Sequence, residues 1–253
     1  MTDNMGRVFL RETSLRKMQA KKSPQAEGLP QPPLFPEPDT AKTRIPLVSP
    51  EDLRIPSMDL KTALERRRSI RSFSEEYLSL EELSWLLWAT QGIQEIRGTE
   101  GVRRTWRNVP SAGGRHPFDT WLTLSRVSGL MPGIYTYLPG EHALQEENSE
   151  RDFSRDVARI CRNQLFMASA AVNFFWVADE YRFMWRHMER GYRFVMQDAG
   201  HVCQNLYLAC ENAGCGCCAI GYFDEPELCS LFGIDGLEHF PAYAASVGKS
   251  GKK

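Results

Sequence analysis

The most constraining stretch of this chain runs from residue 191 to residue 224 and begins with a long apolar stripe at helical spacing. The apolar positions recur every three or four residues, as on the buried face of a helix, at Val195, Ala199, Val202, Leu206, Ala209 and Ala213. Cys203, Tyr207 and Cys210 widen the stripe, so we expect a helix that is buried on several sides. Gly214 is the expected end, because glycine adopts the left-handed conformation without steric cost. The apolar residues 215–220 then predict a strand that ends at Gly221. A helix and a strand that belong only to the hydrophobic core, and carry no functional site, would show the same pattern.

The composition excludes several classes of protein. The chain has 253 residues and a formal net charge of −1, which gives no reason to expect a polyanionic partner over the whole surface. No apolar run approaches the roughly 20 residues of a membrane helix, and the N-terminus lacks the apolar core of a signal peptide, so we expect a cytoplasmic protein. The seven cysteines are odd in number and lie in apolar settings, which favours reduced thiols. Their spacing does not match a zinc or iron–sulfur site, so no metal is predicted.

Residues 1–56 differ from the remainder of the chain. The beginning is basic, and nine of the fifteen prolines lie between Pro24 and Pro56. Proline lacks an amide donor and favours extended conformations, so we expect an arm or linker over residues 1–56 and one folded domain over residues 57–253. This arm either wraps a partner subunit or is disordered.

A group of arginines and serines follows a short helix that is expected over residues 59–67. The sequence from residue 66 to residue 73 is RRRSIRSF. Guanidinium groups bind phosphate through two parallel hydrogen bonds, and serine hydroxyls add neutral donors. A solvated helix end, with charge that suits the helix dipole, explains the same residues equally well.

A second candidate site lies in residues 109–117, VPSAGGRHP. Small residues between two prolines allow a planar ligand to approach the backbone, although a surface turn has the same composition. We expect His116 to be a hydrogen-bonded loop histidine. Before this segment, a capping box of Ser79 and Glu82 predicts a buried helix to Thr90. The polar residues 93–108 lack a period and predict a mobile loop.

The remaining elements predict an α+β fold. From Phe118 onwards, apolar residues recur at every second position, which indicates antiparallel strands over parts of residues 118–144. An amphipathic helix is expected over residues 149–163, a buried strand over 170–178, a short helix after Asp224 that stops at Gly233, and a last strand over 242–247. Strands and helices do not alternate regularly, which argues for α+β architecture.

Five motifs occur in one order along the chain. They are RRSIRSF over residues 67–73, PSAGGRHP over 110–117, DAGHVCQNL over 198–206, AIGYFD over 219–224 and VGK over 247–249. In this order they resemble the nitroreductase family of FMN-dependent oxidoreductases, closest to its thiazoline/oxazoline-dehydrogenase-type branch. The resemblance covers residues 58–249. It implies a three-layer fold with a mixed, mainly antiparallel sheet flanked by helices, and an intertwined homodimer with two FMN sites at the subunit interface.

The resemblance also implies which residues hold the two ends of FMN. Arg67, Arg68 and Ser69 would bind the phosphate and ribityl chain, and Lys249 would add positive charge. Arg71 would lie near the pyrimidine edge of the flavin and stabilise its anionic reduced form.

The ring would lie between two further segments. From the other subunit, the residues that cover it would be Pro110, Ser111, Ala112 and Gly114. One face of the ring would stack on the turn of Ala219, Ile220, Gly221 and Tyr222. The amide of Gly221 would point at the reactive flavin nitrogen, with no side chain at the reacting edge. Many reductases of this family carry an acidic residue at position 221 and an asparagine at position 114.

The implied activity is a ping-pong transfer of two electrons from NAD(P)H to a small electrophile such as a nitroaromatic or a quinone. A dehydrogenase that oxidises a thiazoline or oxazoline in a modified peptide is the first alternative. Azole-forming relatives carry a Lys-Tyr pair where this sequence has Arg186 and His187, and His187 or Tyr181 would then serve as the base. The second alternative is a non-catalytic flavin-binding protein whose arm recruits a partner.

Overall fold

A computed structural model of the protein describes residues 4–99 and 101–250. The helices are α1 (Met5–Glu12), α2 (Leu15–Met18), α3 (Leu60–Arg66), α4 (Leu80–Gln91), α5 (Ser154–Ile160), α6 (Glu180–His187), α7 (Gly191–Asn212) and α8 (Glu225–Phe232). The strands are β1 (Arg44–Pro46), β2 (Ile93–Thr99), β3 (Val102–Arg107), β4 (Phe118–Leu124), β5 (Gly133–Leu138), β6 (Ala143–Asn148), β7 (Val172–Asp179), β8 (Cys215–Ile220) and β9 (His239–Lys249).

Seven strands form one sheet in the order β1-β6-β5-β4-β7-β9-β8. Every neighbouring pair in this sheet is antiparallel. The pair β2 and β3 forms a separate hairpin. These features, with the flanking helices, confirm the predicted α+β class and the mainly antiparallel sheet.

The central strand β7 shows why the molecule has three layers. Successive side chains of a strand point to opposite faces of the sheet. Phe174 and Trp176 therefore enter one apolar core, and Phe175 and Val177 enter the other. Helices α4, α6 and α7 contribute to the first core, whereas α5 and α8 contribute to the second. Both faces of the sheet are covered, which explains why the strand is apolar at nearly every position.

Residues 191–221 fold as their apolar pattern predicts. Helix α7 has 22 residues, and Gly214 follows its end with φ of +65°. Strand β8 comes directly after it and is almost entirely buried. The predicted capping box of Ser79 and Glu82 is present at the start of α4, and α8 ends at the left-handed Gly233. All four local predictions are confirmed.

Strands β2 (Ile93–Thr99) and β3 (Val102–Arg107) pair as a β-hairpin, so the prediction of a mobile loop over residues 93–108 is wrong. Ile96 pairs with Thr105, and Arg97 pairs with Arg104. The hairpin is exposed apart from Thr105 and Arg107, so it lacks the alternation of apolar and polar residues that would reveal strands in the sequence. Helix α5 is also shorter than the predicted 149–163.

The described part of the arm, residues 4–56, lies against the rest of the chain. Its strand β1 pairs with β6 at the edge of the sheet, and Met18 is buried. The backbone amide of Gln25 donates to the Trp185 carbonyl at 2.8 Å, and the Trp185 indole donates to the Leu29 carbonyl at 2.9 Å. The division at residue 56 and a function for the arm remain predictions.

The seven cysteines are free and buried. Burial raises the pKa of the Cys161 and Cys203 thiols to about 12, and it also raises the pKa of Cys210. Within residues 4–99 and 101–250, no helix has the length and apolar character that crossing a bilayer requires. In the same ranges, no group of three His, Cys, Asp or Glu side chains could hold a metal.

Close packing at Gly216 is open to a direct test. A Cβ atom at this position would come within 2.7 Å of Ile70 Cγ2 and 2.8 Å of Ile70 Cβ. Gly216→Ala should therefore lower the free energy of unfolding by about 1–3 kcal/mol, as overpacking usually does. The measurement is urea unfolding of Gly216→Ala, Ile70→Ala and the double variant. The double variant should lose less than the sum of the single variants, and strict additivity would contradict this packing explanation.

Candidate functional site

The predicted site residues form two groups that lie towards opposite ends of α7. The first group is the arginine cluster, residues 67–71, together with the turn 219–222. The second is the glycine loop, residues 110–116, together with His187. Tyr207 of α7 contacts the first group and Asp198 of α7 contacts the second. These two residues are separated by nine positions, which is about 13 Å along a helix at 1.5 Å per residue.

The arginine cluster is attached to β8 by backbone pairing. Ser69 forms a parallel bridge with Cys217, and the Ile70 amide donates to the Cys217 carbonyl at 2.9 Å. Burial raises the pKa of the Cys218 thiol and the Arg71 charge opposes this rise, so Arg71 lies near β8, three residues before Gly221. The structure thus brings the predicted phosphate-binding segment and the predicted ring-binding turn together.

Tyr207 joins the two parts of this group. Its hydroxyl accepts the Ala219 amide at 2.8 Å and lies 3.0 Å from Ser69 Oγ. The Arg67 guanidinium lies over its ring, 5.2 Å from the centroid. The sequence analysis assigned Tyr207 only to the apolar stripe. A signal was present, because the hydroxyl of a buried tyrosine requires a polar partner.

The three guanidinium groups of the cluster differ in their partners, since only Arg68 donates to backbone carbonyls, those of Glu65 and Arg67 at 2.9 and 2.8 Å, among the described residues. Among the described residues, no carboxylate oxygen lies within 4.0 Å of Arg67, Arg68 or Arg71. The acid that faces them is Glu211, which is hydrogen-bonded to the Arg68 backbone and attracted by Arg67. Burial nevertheless raises the pKa of Glu211. The Arg71 guanidinium lies 6.0 Å from the centroid of the Phe166 ring.

Lys249, a further predicted phosphate ligand, already has a counterion. Its ammonium group pairs with the Glu82 carboxylate and donates to the Ala213 carbonyl at 3.3 Å. Burial opposes the charge, but the bond to Glu82 and the nearby Cys215 raise the pKa of Lys249. A phosphate would therefore compete with Glu82 for this ammonium group.

The turn after β8 is open at Gly221. A Cβ atom there would meet Tyr243 Cε2 at an ordinary 3.6 Å, and the backbone does not have a positive φ. Neither packing nor conformation therefore requires glycine at this position. The neighbouring Tyr222 is 65% exposed, with the Arg162 guanidinium 5.6 Å from its ring centroid. Ile220 is buried and faces the second core.

The glycine loop is fixed to α7 through Asp198. Ser111 Oγ donates to Asp198 Oδ2 at 2.5 Å, and the Ala112 amide lies 3.4 Å from Asp198 Oδ1. Burial raises the pKa of the Asp198 carboxyl. Gly113 and Gly114 both have φ of +63°, a conformation that glycine adopts without strain. Asp198 was not among the predicted site residues, although an acid beside the apolar stripe of a buried helix indicates a polar partner.

His187 lies with the glycine loop. Its Nε2 is 3.1 Å from the Ala112 carbonyl, which can only accept a hydrogen bond, so the proton is on Nε2 and Nδ1 carries the lone pair. Burial lowers the pKa of His187, and the charges of Arg186 and Arg115 lower it further. Of the three predicted catalytic residues, Gly221 and Arg71 belong to the first group, whereas His187 belongs to the second. Pro110, at the start of the loop, is exposed.

The architecture and the order of these segments agree with one known family. A sequence model of the nitroreductase family matches residues 64–249. The chain belongs to the nitroreductase family. Membership identifies it as a flavin-dependent oxidoreductase, as the motif order implied.

Three relatives show how similar this chain is to other proteins with the same fold. A protein of Methanocaldococcus jannaschii, provisionally named a nitroreductase, is 29% identical over 201 residues, which cover 78% of this chain and 96% of that protein. A crystal structure of a provisional nitroreductase from Ralstonia eutropha is 26% identical with a TM-score of 0.66, covering 88% of this chain and 98% of that one. One from Anabaena variabilis is 24% identical with a TM-score of 0.69, but this chain, 84% of which is covered, spans only 42% of it.

Two more distant structures share the fold of this nitroreductase family member. A provisional nitroreductase from Desulfovibrio desulfuricans, solved in complex with FMN, is 18% identical with a TM-score of 0.53, covering 78% of this chain and 89% of that one. A chain of the Escherichia coli microcin synthetase complex McbBCD, solved with truncated pro-MccB17 bound, is also 18% identical with a TM-score of 0.61, covering 81% and 78%. The fold therefore occurs both in a protein with bound FMN and in a microcin synthetase complex.

The environment of His116 predicts how stability depends on pH. Burial and the Arg107 charge lower the pKa of His116 to about 2, whereas an unfolded histidine titrates near 6.5. The unfolded state therefore binds the proton first, and stability should fall as the pH falls below about 6.5. At pH 5 this single group contributes a loss of about 2 kcal/mol.

His116→Asn removes this titration. Asparagine tolerates the positive φ of 43° at this position. Urea unfolding at pH 7.5 and pH 5.0 should show a smaller loss of stability on acidification for the variant than for the wild type. Equal losses would contradict the assignment of a buried neutral histidine.

Proposed function

We propose that this protein is an FMN-dependent oxidoreductase that transfers two electrons, in a ping-pong cycle, from NAD(P)H to a small electrophile such as a nitroaromatic or a quinone. The observation that carries the proposal is the arginine cluster, whose guanidinium groups lack carboxylate partners among the described residues and whose Ser69 contacts the same Tyr207 hydroxyl as Ala219, two residues before the open turn at Gly221. A flavin needs both features, because it has an anionic end and a planar end. FMN, when bound, would supply the two-electron chemistry.

The residues present fit the phosphate end of FMN. Arg67 and Arg68 provide cationic donors, and charge-assisted hydrogen bonds to phosphate are among the strongest in proteins. The Ala219 amide donates to Tyr207, so the Tyr207 hydroxyl hydrogen can be directed to Ser69 Oγ. The Ser69 hydroxyl hydrogen is then available to a ligand oxygen. Tyr207 is thus proposed as a positioning residue for Ser69.

The residues present also fit the ring end. Glycine at position 221 is not required by the protein's own packing, which supports a role in letting a planar ligand approach the backbone. Arg71, whose charge acts on Cys218 in the strand that leads to this turn, would place positive charge near the flavin edge that becomes anionic on reduction. In this arrangement the chain binds and orients the flavin and stabilises its charge.

The separation of the two groups supports a site shared between two copies of the chain. The arginine cluster and the glycine loop contact α7 at positions about 13 Å apart along its axis. The intervening helix leaves one stripe exposed at intervals of four residues, at Met196, Gly200 and Gln204. We propose that a second copy packs on this stripe, so that its glycine loop covers the flavin held by the first arginine cluster.

A second candidate function is the dehydrogenation of a thiazoline or oxazoline in a modified peptide. The observation that favours it is His187, which is neutral, carries its lone pair on Nδ1 and lies against the glycine loop. Proton abstraction from a ring carbon requires such a base. A chain of the McbBCD microcin synthetase complex, solved with truncated pro-MccB17 bound, has the same fold. Oxidation of a synthetic thiazoline peptide by the purified protein would favour this candidate.

The absorption spectrum of the purified protein tests the main proposal. Bound FMN should give a yellow protein that NADH or NADPH bleaches and that a quinone or nitroaromatic then recolours. FMN that stays oxidised with both nicotinamides contradicts the proposed reductase cycle. In that case the protein would be a non-catalytic flavin binder or a dehydrogenase with another electron acceptor.

Arg67→Ala tests the phosphate assignment. Each charge-assisted contact is worth about 1.5–3 kcal/mol, so the dissociation constant for FMN should rise roughly 10- to 150-fold. Fluorescence titration of FMN into flavin-free protein measures this change. Arg44→Ala is the matched control, because Arg44 lies on β1 at the opposite edge of the sheet from β8. Unchanged affinity in Arg67→Ala would show that the phosphate binds elsewhere.

A further inference from the structure

A cavity of about 360 Å³ lies between the β2–β3 hairpin and the glycine loop. Two hairpin side chains that line the cavity, Arg104 and Trp106, are suited to bind a planar anion. The loop side is lined by Ser111, Gly114 and His116. A Cβ atom at Gly114 would lie 3.5 Å from Arg104 Cβ, so the arginine side chain leaves the backbone directly beside the loop.

The Arg104 guanidinium has no acidic partner. Among the described residues, no carboxylate oxygen lies within 4.0 Å of it. Glu95, on the same hairpin, pairs with Arg97 at 2.6 Å. Asp198, the acid that holds the loop, already accepts from Ser111 and from the Ala112 amide. The acids around the cavity are therefore engaged, and Arg104 is left to a ligand.

The protein beneath the cavity adds further positive charge. Arg107 lines the cavity, is 8% exposed, and donates only to neutral acceptors, which are Gln91 Oε1, Thr105 Oγ1 and the Leu34 carbonyl. Burial, together with the charge of Arg182, lowers the pKa of Arg107 to about 9. Burial disfavours the cationic form of Arg107, and an anion that binds nearby would stabilise that form.

Arg115, next to the loop glycines, has a similar environment. It is 3% exposed, its Nη2 lacks a hydrogen-bond partner, and burial lowers its pKa to about 10. Arg182 is paired with Asp119 and Asp179. Three buried guanidinium groups thus face two carboxylates, which leaves one net positive charge under the loop. His116, the remaining titratable group in the lining, is neutral because burial and Arg107 lower its pKa to about 2.

We propose that this cavity binds the carboxylate of an aromatic electron acceptor, with Arg104 as the residue that determines specificity. The guanidinium plane of Arg104 matches a carboxylate through two parallel hydrogen bonds. The Arg97 guanidinium lies over the Trp106 ring, 4.4 Å from its centroid, and the half-exposed remainder of this ring offers a surface against which an aromatic acid can pack. This inference rests on the proposed function, because the glycine loop is the segment that would cover the partner's flavin. Pro110, Ser111 and Gly114 line the cavity and belong to that same segment, so an acid held by Arg104 would share this wall with the flavin ring.

The test compares two acceptors of similar shape and different charge, 4-nitrobenzoate and 4-nitrobenzamide. The wild type should show the higher kcat/KM with 4-nitrobenzoate. Arg104→Gln should reduce the benzoate-to-benzamide ratio of kcat/KM by roughly tenfold or more, the value of one charge-assisted contact. Arg103→Gln is the matched control: it removes the same charge from the adjacent residue of β3, whose side chain points to the other face of the hairpin. Its ratio should equal that of the wild type.

A binding measurement separates this inference from the reaction. Benzoate, which accepts no electrons, is titrated into the wild type, Arg104→Gln and Arg103→Gln proteins by calorimetry. The dissociation constant should rise roughly tenfold or more in Arg104→Gln alone. Arg104-dependent binding of benzoate without turnover of either acceptor would preserve the anion site and contradict the proposed reductase function.

Two results would overturn the inference while leaving the reductase function intact. One is turnover of both acceptors with no preference for 4-nitrobenzoate and no effect of Arg104→Gln on benzoate binding. The other is a loss in Arg104→Gln that appears with NADPH and is absent with NADH, which would assign the anion to the phosphate of the electron donor.

Discussion

The site depends on the backbone pairing between the arginine cluster and β8. The amide of Ile70 bonds to the carbonyl of Cys217, and Gly216 leaves the space that the Ile70 side chain fills. This contact fixes a segment that carries three guanidinium groups against the strand that ends at Gly221. Without it, the cationic residues would extend from α3 into solvent and would have no defined position relative to the turn. A charged cluster is thereby held in place by neutral main-chain atoms and one apolar side chain.

Helix α7 determines how far apart the two halves of the site lie. Tyr207 holds the arginine cluster through its hydroxyl, and Asp198 holds the glycine loop through its carboxylate. Both polar groups interrupt an otherwise apolar helix, and both are buried. The cost of burying them is offset by hydrogen bonds to loops that would otherwise be unsupported. One helix therefore positions two loop segments, and its remaining exposed stripe is available to a second chain.

Much of the fold could be predicted from the sequence, because α4, α7, β7 and β8 each carry a strong apolar period or a capping motif. The hairpin β2–β3 could not be predicted, because its side chains are mostly exposed and its stability comes from cross-strand pairing and contacts with the arm. The motif order predicted which segments matter. It did not indicate roles for Tyr207 and Asp198. An apolar stripe shows which face of a helix is buried, but it does not show which loop a polar side chain on that face will contact. Lys249 matches its motif, yet only the tertiary structure shows that Glu82 pairs with it.

The burial of all seven cysteines has a consequence for handling and for oxidative stress. The thiolate is the form that reacts with alkylating agents and peroxides, and desolvation suppresses it in the native interior. Sulfhydryl chemistry should thus proceed only when the domain opens. A molecule with a modified thiol would then be one that had unfolded at least once, and the extent of thiol modification would report how much of a sample had lost its native structure.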